Sequence, residues 1–545
     1  MASHPDGSFA VMDGELFGDR GVVPADAAAE SALADVLARG YIAAAGWNAE
    51  AVVSVWDAST EILVVARDRM GVSPAYWWES GGGIAWVSDL SSAVGAGAPA
   101  DPDPLAVDVF LATGRVPAPW TFLEAVRKIP PGHALVVSPG RPPRVLCYWR
   151  QTGQPKLNLS DSERADRLAA ALEVSLRRRS TADGKLGALL SSGVDSTLLV
   201  AGVRELLQLP LSTFTFRYLE YEGVYNEDEP AAERARHFGC DHERIDVSPH
   251  ELAARFSSIV SGFGEPFTYG LHSFLLEKAG DAGVGALLSG VGPDGWYFSQ
   301  RSARAVMLLR RAPFGVGRVA LRASERVDPR SRVHRLSRLL THGVGGMRWN
   351  MVLAPTPLRR EIERDASVAE RGERELRRLI DDTTATYRGE TAADRDIFTE
   401  QRCFTAEHLT FWNHRWGRVH GIPVRHPYFD NDLHELVLRL RRDREAKEEL
   451  RQLAETLMPR EFARAPKIFQ SVPISIWLRG PLTPLLHDAL SPDRIERSGL
   501  FDPDAVKRLI AEHLSGEADR DWVLWSLMTL VEWRLELASR ATSWR

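Results

Sequence analysis

Cysteine is scarce: the 545 residues hold three, Cys147, Cys240 and Cys403, far apart and with no CxxC pair. This excludes a disulfide framework and the usual zinc-ligand spacings. No apolar run approaches the roughly 18 residues needed to cross a bilayer. The start, MASHPDGSFA, has neither a basic segment nor an apolar one, so no signal peptide is expected. Positive charge is not in excess; a net charge of −6 argues against a general nucleic-acid partner. There is no internal repeat and no GxxxxGK[ST] phosphate loop. A soluble, cytoplasmic chain of two or more domains is expected, with no nucleic acid and no membrane among its partners. Its 44% hydrophobic and 26% charged residues are ordinary for that class.

What is present centres on residues 186–200, LGALLSSGVDSTLLV. The apolar run 186–190 has the length and flanks of a buried strand. It breaks at Ser191-Ser192-Gly193, and an apolar helix pattern starts near Ser196. A strand feeding a small-residue turn and a helix N-terminus suits an anion, because backbone N–H groups and the helix dipole favour negative charge there. Asp195 fits such a cradle only with a metal ion or as a helix cap; a plain strand-turn-helix corner is the alternative.

Strands and helices alternate beyond this point. Leu168, Leu172 and Leu176 recur every four residues in a helix beginning at Asp161. Residues 211–216, 241–247 and 284–289 read as strands, with a helix over 227–238 and two helical stretches between the last two strands. That order predicts a parallel, doubly wound sheet with ligands at the strand C-terminal ends. The first and fourth strands both end in Ser/Gly turns, the fourth being Ser289-Gly290-Val291-Gly292. Residues 1–150 read as strands and turns, with strands at 51–55, 62–66, 84–88 and 134–137. Residues 150–160 read as a polar linker. The Arg-rich stretch 301–395 reads as solvated helix with ion pairs, and the helix around 524–534 as core.

Ser191, Gly193, Asp195 and Ser196 resemble the SGGxDS pyrophosphate loop of the N-type ATP pyrophosphatases, with Ser192 in place of a glycine. Residues 66–74, ARDRMGVSP, resemble the ARDRxGxxP segment in the glutaminase domain of asparagine synthetase B, and Asp13-Gly14-Glu15-Leu16-Phe17 its NGEIY segment. Residues 114–133 resemble the end of that domain. Ser289-Gly290-Val291-Gly292-Pro293-Asp294-Gly295 resembles SG[DE]G[GS]DE, residues 421–430 resemble GLEVRxPFLD, and 459–480 resemble RxPKxGF followed by WLRG. Glu227 and Glu265-Pro266-Phe267 match further family positions. The chain is thus similar to the asparagine synthetase B-like family.

The resemblance implies an α/β fold class. A degenerate Ntn-hydrolase-like, β-rich domain of glutamine amidotransferase type 2 is expected over 1–150. A C-terminal doubly wound parallel sheet, adenine nucleotide α-hydrolase-like with added helices, is expected over 160–545. It implies an AMP- and pyrophosphate-forming carbon–nitrogen ligase that uses ATP and Mg²⁺. A carboxylate would be activated as an acyl adenylate for attack by ammonia or an amine. Asp195 and Asp294 would bind the metal and Lys467 would stabilise the transition state. Leu190, Ser191, Ser192, Gly193, Ser196, Phe214, Thr215, Phe216, Ser289, Gly290 and Gly292 would hold the nucleotide. The alternatives are an intramolecular amide-forming cyclase, similar to lasso-peptide cyclases or β-lactam synthetases, and a non-catalytic nucleotide-binding homologue. For the ligase, a role in secondary metabolism is a further expectation, and a homodimer is expected as a possible assembly.

The departures from the family carry their own implications. Ala2 stands where the family has its nucleophilic cysteine, which excludes thioester chemistry at that position. About a dozen residues precede the NGEIY-like segment, where the family has several tens, so the first strands of the family's sandwich are expected to be missing. The family's glutamine-holding acid is replaced near Ala28. Val291, Gly295, Pro423 and His414 replace acidic family residues. Loss of the first acid, at Val291, implies a different amine nucleophile, a different base, or weak activity.

Overall fold

The computed structural model describes residues 1–151, 154–219, 226–268, 270–296, 354–388, 392–403, 405–441, 447–466 and 472–543. Residues 297–353 of the Arg-rich stretch, and Lys467, lie outside the described residues.

The N-terminal part is built on a mainly antiparallel sheet. In spatial order it runs β1 (Ala2–Ser3), β2 (Phe9–Gly18), β4 (Ala49–Asp57), β5 (Ile62–Arg67), β9 (His133–Val137) and β10 (Arg144–Cys147), with β3 (Gly21–Val22) hairpinned onto β2. The β4–β5 hairpin turns on Asp57, whose carboxylate accepts from the Ser59 and Thr60 backbone N–H groups. A second antiparallel sheet, β6 (Tyr76–Ser80), β7 (Gly83–Val87) and β8 (Arg127–Lys128), packs on one face through Val52, Val65, Ile129 and Leu135.

The other face is covered by the helix Ala25–Arg39. Here a reading of residues 1–150 as strands and turns alone is corrected: this helix, a short one at Leu90–Gly95 and a third, Pro104–Thr113, lie within them. The first buries mainly alanines, Ala28, Ala29 and Ala32 with Leu33 and Val36. Alanine has the highest helix propensity and leaves only a faint amphipathic stripe. Ala28, the position loosely matched to a glutamine-holding acid, is buried against the sheet.

The C-terminal part carries the parallel sheet. Its order is β13 (Asp241–Val247), β12 (Ser212–Tyr218), β11 (Lys185–Leu189), β14 (Val284–Leu288) and β15 (Val424–Arg425). Every neighbouring pair is parallel. The chain steps from β11 outward through β12 and β13, then returns to the other side of β11 as β14. That reversal places a crevice between the ends of β11 and β14. β15 was not legible as a strand, since two residues carry no period.

The helix Asp161–Arg179 opens with a capping box, Ser160 and Glu163. The segment before it is anchored rather than loose: Leu157 N donates to Arg439 O at 2.8 Å, and Lys156 pairs with Asp394 at 2.9 Å. The long helix Asp521–Ser543 buries Leu524, Trp525, Leu527, Met528, Val531 and Trp533 in the main core. Its late position in the chain therefore closes the fold. No helix among the described residues is long and apolar enough to cross a membrane.

Candidate functional site

The crevice is lined by the two Ser/Gly turns. After β11 the chain passes through Leu190, Ser191, Ser192 and Gly193 into the helix Val194–Ala201. The turn is knitted internally. Ser191 N donates to Ser196 Oγ at 3.1 Å, Gly193 N to Ser191 Oγ at 3.1 Å, and Ser192 N to a Glu227 carboxylate oxygen at 2.8 Å. The Ser192 hydroxyl reaches the same Glu227 oxygen at 2.6 Å. Ser192, which replaces a family glycine, is therefore held by the acid that precedes the helix Asp228–His237. With these N–H groups satisfied within the chain, an anion would be met by the end of the helix and its dipole.

The second turn lies directly against the first. A Cβ on Gly290 would come within 2.9 Å of Ser196 N and 3.0 Å of Ser196 Cα, so only glycine lets the turns close on each other. Gly292 follows at φ +136°, in the region glycine favours.

The two candidate metal carboxylates converge. Lys447 Nζ lies 2.5 Å from an Asp195 oxygen and 2.5 Å from an Asp294 oxygen, so those oxygens are no more than about 5 Å apart. Asp195 is buried, while the Asp294 side chain is 65% exposed and faces the open crevice. The ammonium sits between two hard oxygen donors. Two carboxylates are the share of a Mg²⁺ shell that a protein commonly supplies when substrate phosphates provide the rest. Among the described residues no group of three or more His, Cys, Asp or Glu gathers to hold a metal alone. Lys447 was missed in the sequence, where it sits among ordinary charges. Its backbone is unusual: at φ +64° it caps the helix Glu448–Leu457 in a conformation uncommon outside glycine.

The other candidate positions gather nearby. Leu190 N donates to Phe214 O at 3.0 Å and Thr215 Oγ1 donates to Leu190 O, which ties the first turn to β12. Phe214, Thr215 and Phe216 are buried in β12.

A family model of asparagine synthase matches residues 167–535, and one of a glutamine amidotransferase domain matches residues 29–149. The chain belongs to the asparagine synthase family. One relative is the glutamine-hydrolysing asparagine synthetase 1 of Bacillus subtilis (strain 168), 22% identical over 505 residues, covering 88% of this chain and 76% of that protein. Another, an amidase of Penicillium rubens, is 25% identical over 273 residues, covering 47% of this chain and 40% of its own. Among solved structures, the NMN synthetase of Francisella tularensis matches 26% of this chain and 58% of its own at TM-score 0.19 and 19% identity, too slight to bear on fold or function. As a member of the asparagine synthase family, the protein is an ATP-dependent carbon–nitrogen ligase acting on a carboxylate and on ammonia or an amine.

Family motifs of the N-terminal part are found at the junction between the two parts of this asparagine synthase family member. Glu15 forms a bidentate pair with Arg425, both contacts at 2.7 Å, and Asp13 meets Arg418 at 2.5 Å. Arg67 donates to the carbonyls of Gly71, Ser73 and Ile129 and pairs with Glu407, which Lys128 also reaches at 2.6 Å. Glu265 of the EPF-like segment accepts from Tyr76 Oη, and burial pushes its carboxyl above the usual range. Arg415 pairs with Asp89 at 2.9 Å. His414 is held at about 3 by burial and by the neighbouring Arg415.

The thiols stand apart from Ala2. Cys147 lies on β10, the opposite edge of the sheet from β1. Burial pushes Cys240 up to about 11 and Cys403 up to about 12, so neither is a ready thiolate.

Proposed function

We propose that this asparagine synthase family member forms AMP and pyrophosphate. A substrate carboxylate attacks the α-phosphorus of ATP, giving an acyl adenylate and pyrophosphate; ammonia or an amine then attacks the acyl carbon, giving an amide and AMP. The observation that supports this most directly is the convergence of Asp195 and Asp294, from two touching turns, on one cation. These carboxylates would hold Mg²⁺, which supplies charge neutralisation for the departing pyrophosphate. Lys447, released from them, would pair with the phosphates. Ser191, Ser192, Gly193 and Ser196 would shape the phosphate end. Leu190, Phe214, Thr215, Phe216, Ser289, Gly290 and Gly292 would enclose the nucleoside. Lys467, outside the described residues, would stabilise the charge that builds at the α-phosphate.

We read residues 1–150 as a degenerate amidotransferase domain without glutaminase activity, and residues 160–545 as the ligase domain. Ala2 has no nucleophilic atom, and Cys147 lies on the far edge of the sheet. The nitrogen would then be taken directly as ammonia or as another amine.

The test is AMP and pyrophosphate release from MgATP by the purified protein, with aspartate and other acids, each beside ammonium, glutamine or other amines. Asp294→Ala and Lys467→Ala serve as controls. Turnover with ammonium or another amine but not with glutamine is expected. Glutamine-dependent turnover would overturn the assignment of residues 1–150, and ADP in place of AMP would overturn the adenylate chemistry.

A further inference from the structure

A buried chain of hydrogen bonds runs from β4 in the N-terminal part to the nucleotide turn. Glu50 Oε2 meets His426 Nδ1 at 2.9 Å, and Glu50 Oε1 accepts from His426 N at 3.0 Å and from Arg179 Nε at 3.1 Å. The far ring nitrogen, His426 Nε2, lies 3.3 Å from Asn413 Nδ2, which also donates to Ser289 Oγ at 3.0 Å. Glu50 is 6% exposed, and His426, Asn413 and Ser289 are 1% or less. The four residues come from β4, from beside β15, from the helix Leu409–His420 and from the end of β14.

The polarity of this chain is set at its N-terminal end. Burial alone would raise the Glu50 carboxyl, but the hydrogen bonds from His426 and the neighbouring Arg179 guanidinium hold it down at about 2, so it only accepts. His426 must then carry a proton on Nδ1. Asn413 turns its amide nitrogen toward both Nε2 and Ser289 Oγ, so Nε2 is met by a donor and accepts. Ser289 Oγ thus accepts from Asn413, and more weakly from Val291 N at 3.4 Å. Its own O–H donates to no described residue. A buried hydroxyl proton without an acceptor is uncommon, and this one sits at the strand end that borders the crevice.

We propose that Glu50, acting through His426 and Asn413, is a positioning residue that keeps the Ser289 hydroxyl proton free to donate to an oxygen of the bound nucleotide. This rests on the reading that the 289–292 turn binds ATP. It gives the N-terminal part a present function in the ligase site, one that needs no glutamine. Replacing Glu50 by Gln reverses the chain: the new amide N–H faces Nδ1, the ring proton moves to Nε2, and Asn413 turns its carbonyl oxygen to accept from Ser289. The hydroxyl proton is then consumed inside the protein.

The experiment is MgATP binding by calorimetry on the full chain, with thermal unfolding of each variant alongside. Glu50→Gln is expected to raise the Kd for ATP about tenfold, the size of one hydrogen bond to a charged ligand, with the unfolding temperature little changed. Ser289→Ala should give the same rise. The double variant should bind no more weakly than Ser289→Ala alone, because both act through one proton. Asn413→Asp, which forces the reversed polarity without touching Arg179, should match them and carries the test if Glu50→Gln does not fold. A purely structural role would lower the unfolding temperature and the fraction of active protein while leaving Kd unchanged. Wild-type Kd in Glu50→Gln or in Asn413→Asp, or additive effects in the double variant, would overturn the proposal alone. Failure of the wild type to bind ATP would overturn the nucleotide reading beneath it.

Discussion

The two parts of the molecule treat their inherited residues differently. In the C-terminal part, family-like residues face a crevice: Asp195 and Asp294 meet around one ammonium, and Gly290 closes on Ser196. In the N-terminal part, they face the other part of the chain: Glu15 holds Arg425, Asp13 holds Arg418, and Arg67 shares Glu407 with Lys128. The first pattern gathers charged groups at an open crevice. The second buries or half-buries charge in fixed pairs, which serves registry between the parts. A motif can therefore persist in sequence while its side chains work at an interface.

The largest effect should fall on the crevice. Asp294→Ala removes one of two converging carboxylates while leaving an exposed site intact. Pyrophosphate release should drop about 100-fold or more, with urea unfolding unchanged. A mild loss would mean that the second turn is not part of the chemistry.

Arg425→Met attacks the junction. It strips Glu15 of its bidentate partner and leaves the Arg179 and Thr181 carbonyls without a donor. The Arg425 side chain is 5% exposed and Glu15 22%, so a loss of about 3 kcal/mol in unfolding free energy is expected. An unchanged urea midpoint would show that the parts are not held in register by this pair.

The pH dependence should come from histidines buried at or near the junction. Burial holds His133 and His272 at about 4 and His414 at about 3, against an ordinary 6.5. They are neutral in the fold, while the unfolded chain takes up protons below about 6.5. Their contribution is therefore full above that pH and is lost as pH falls toward 4. Asp68, raised to about 6 by burial, and Glu363, raised to about 9, act in the opposite sense. His408, held well below its ordinary value by burial, adds to the histidine side. A falling unfolding temperature between pH 7 and pH 4 is expected, with a shallower slope for His414→Asn. A flat profile would mean that the buried carboxyls cancel the histidines.

The smallest effect belongs to the helix Ser367–Ala385. Its Arg377–Glu373 pair, at 2.7 Å, has side chains 64% and 32% exposed. Arg377→Ala should change stability by less than about 0.5 kcal/mol and leave pyrophosphate release as it was. A clear loss of turnover would show that this solvated face meets a substrate.

Local order was legible wherever one period dominated a stretch. Residues 241–247 coincide with β13, and 62–66 and 284–289 match β5 and β14 to within a residue. The turn chemistry of Ser191-Ser192-Gly193 and Ser289-Gly290 was legible because small residues at strand ends have few other uses. The helix Ala25–Arg39 was not legible from β-rich runs, because alanine gives little contrast between faces. Lys447 was hidden because a lysine among charges has no local signature.

By itself the sequence determined the strand-turn-helix units, the parallel order they imply and the scarcity of thiols. Periodicity and residue chemistry act within a few positions, so these are readable along the chain. Only the tertiary structure decided that Lys447 bridges Asp195 and Asp294, 252 and 153 positions away. It alone joined Glu50 to Ser289 through His426 and Asn413. Pairings of this kind depend on which buried charges meet when two separately patterned parts close on each other. Burial makes each unpaired charge costly, so the partner is set by the closure and not by the neighbours in sequence.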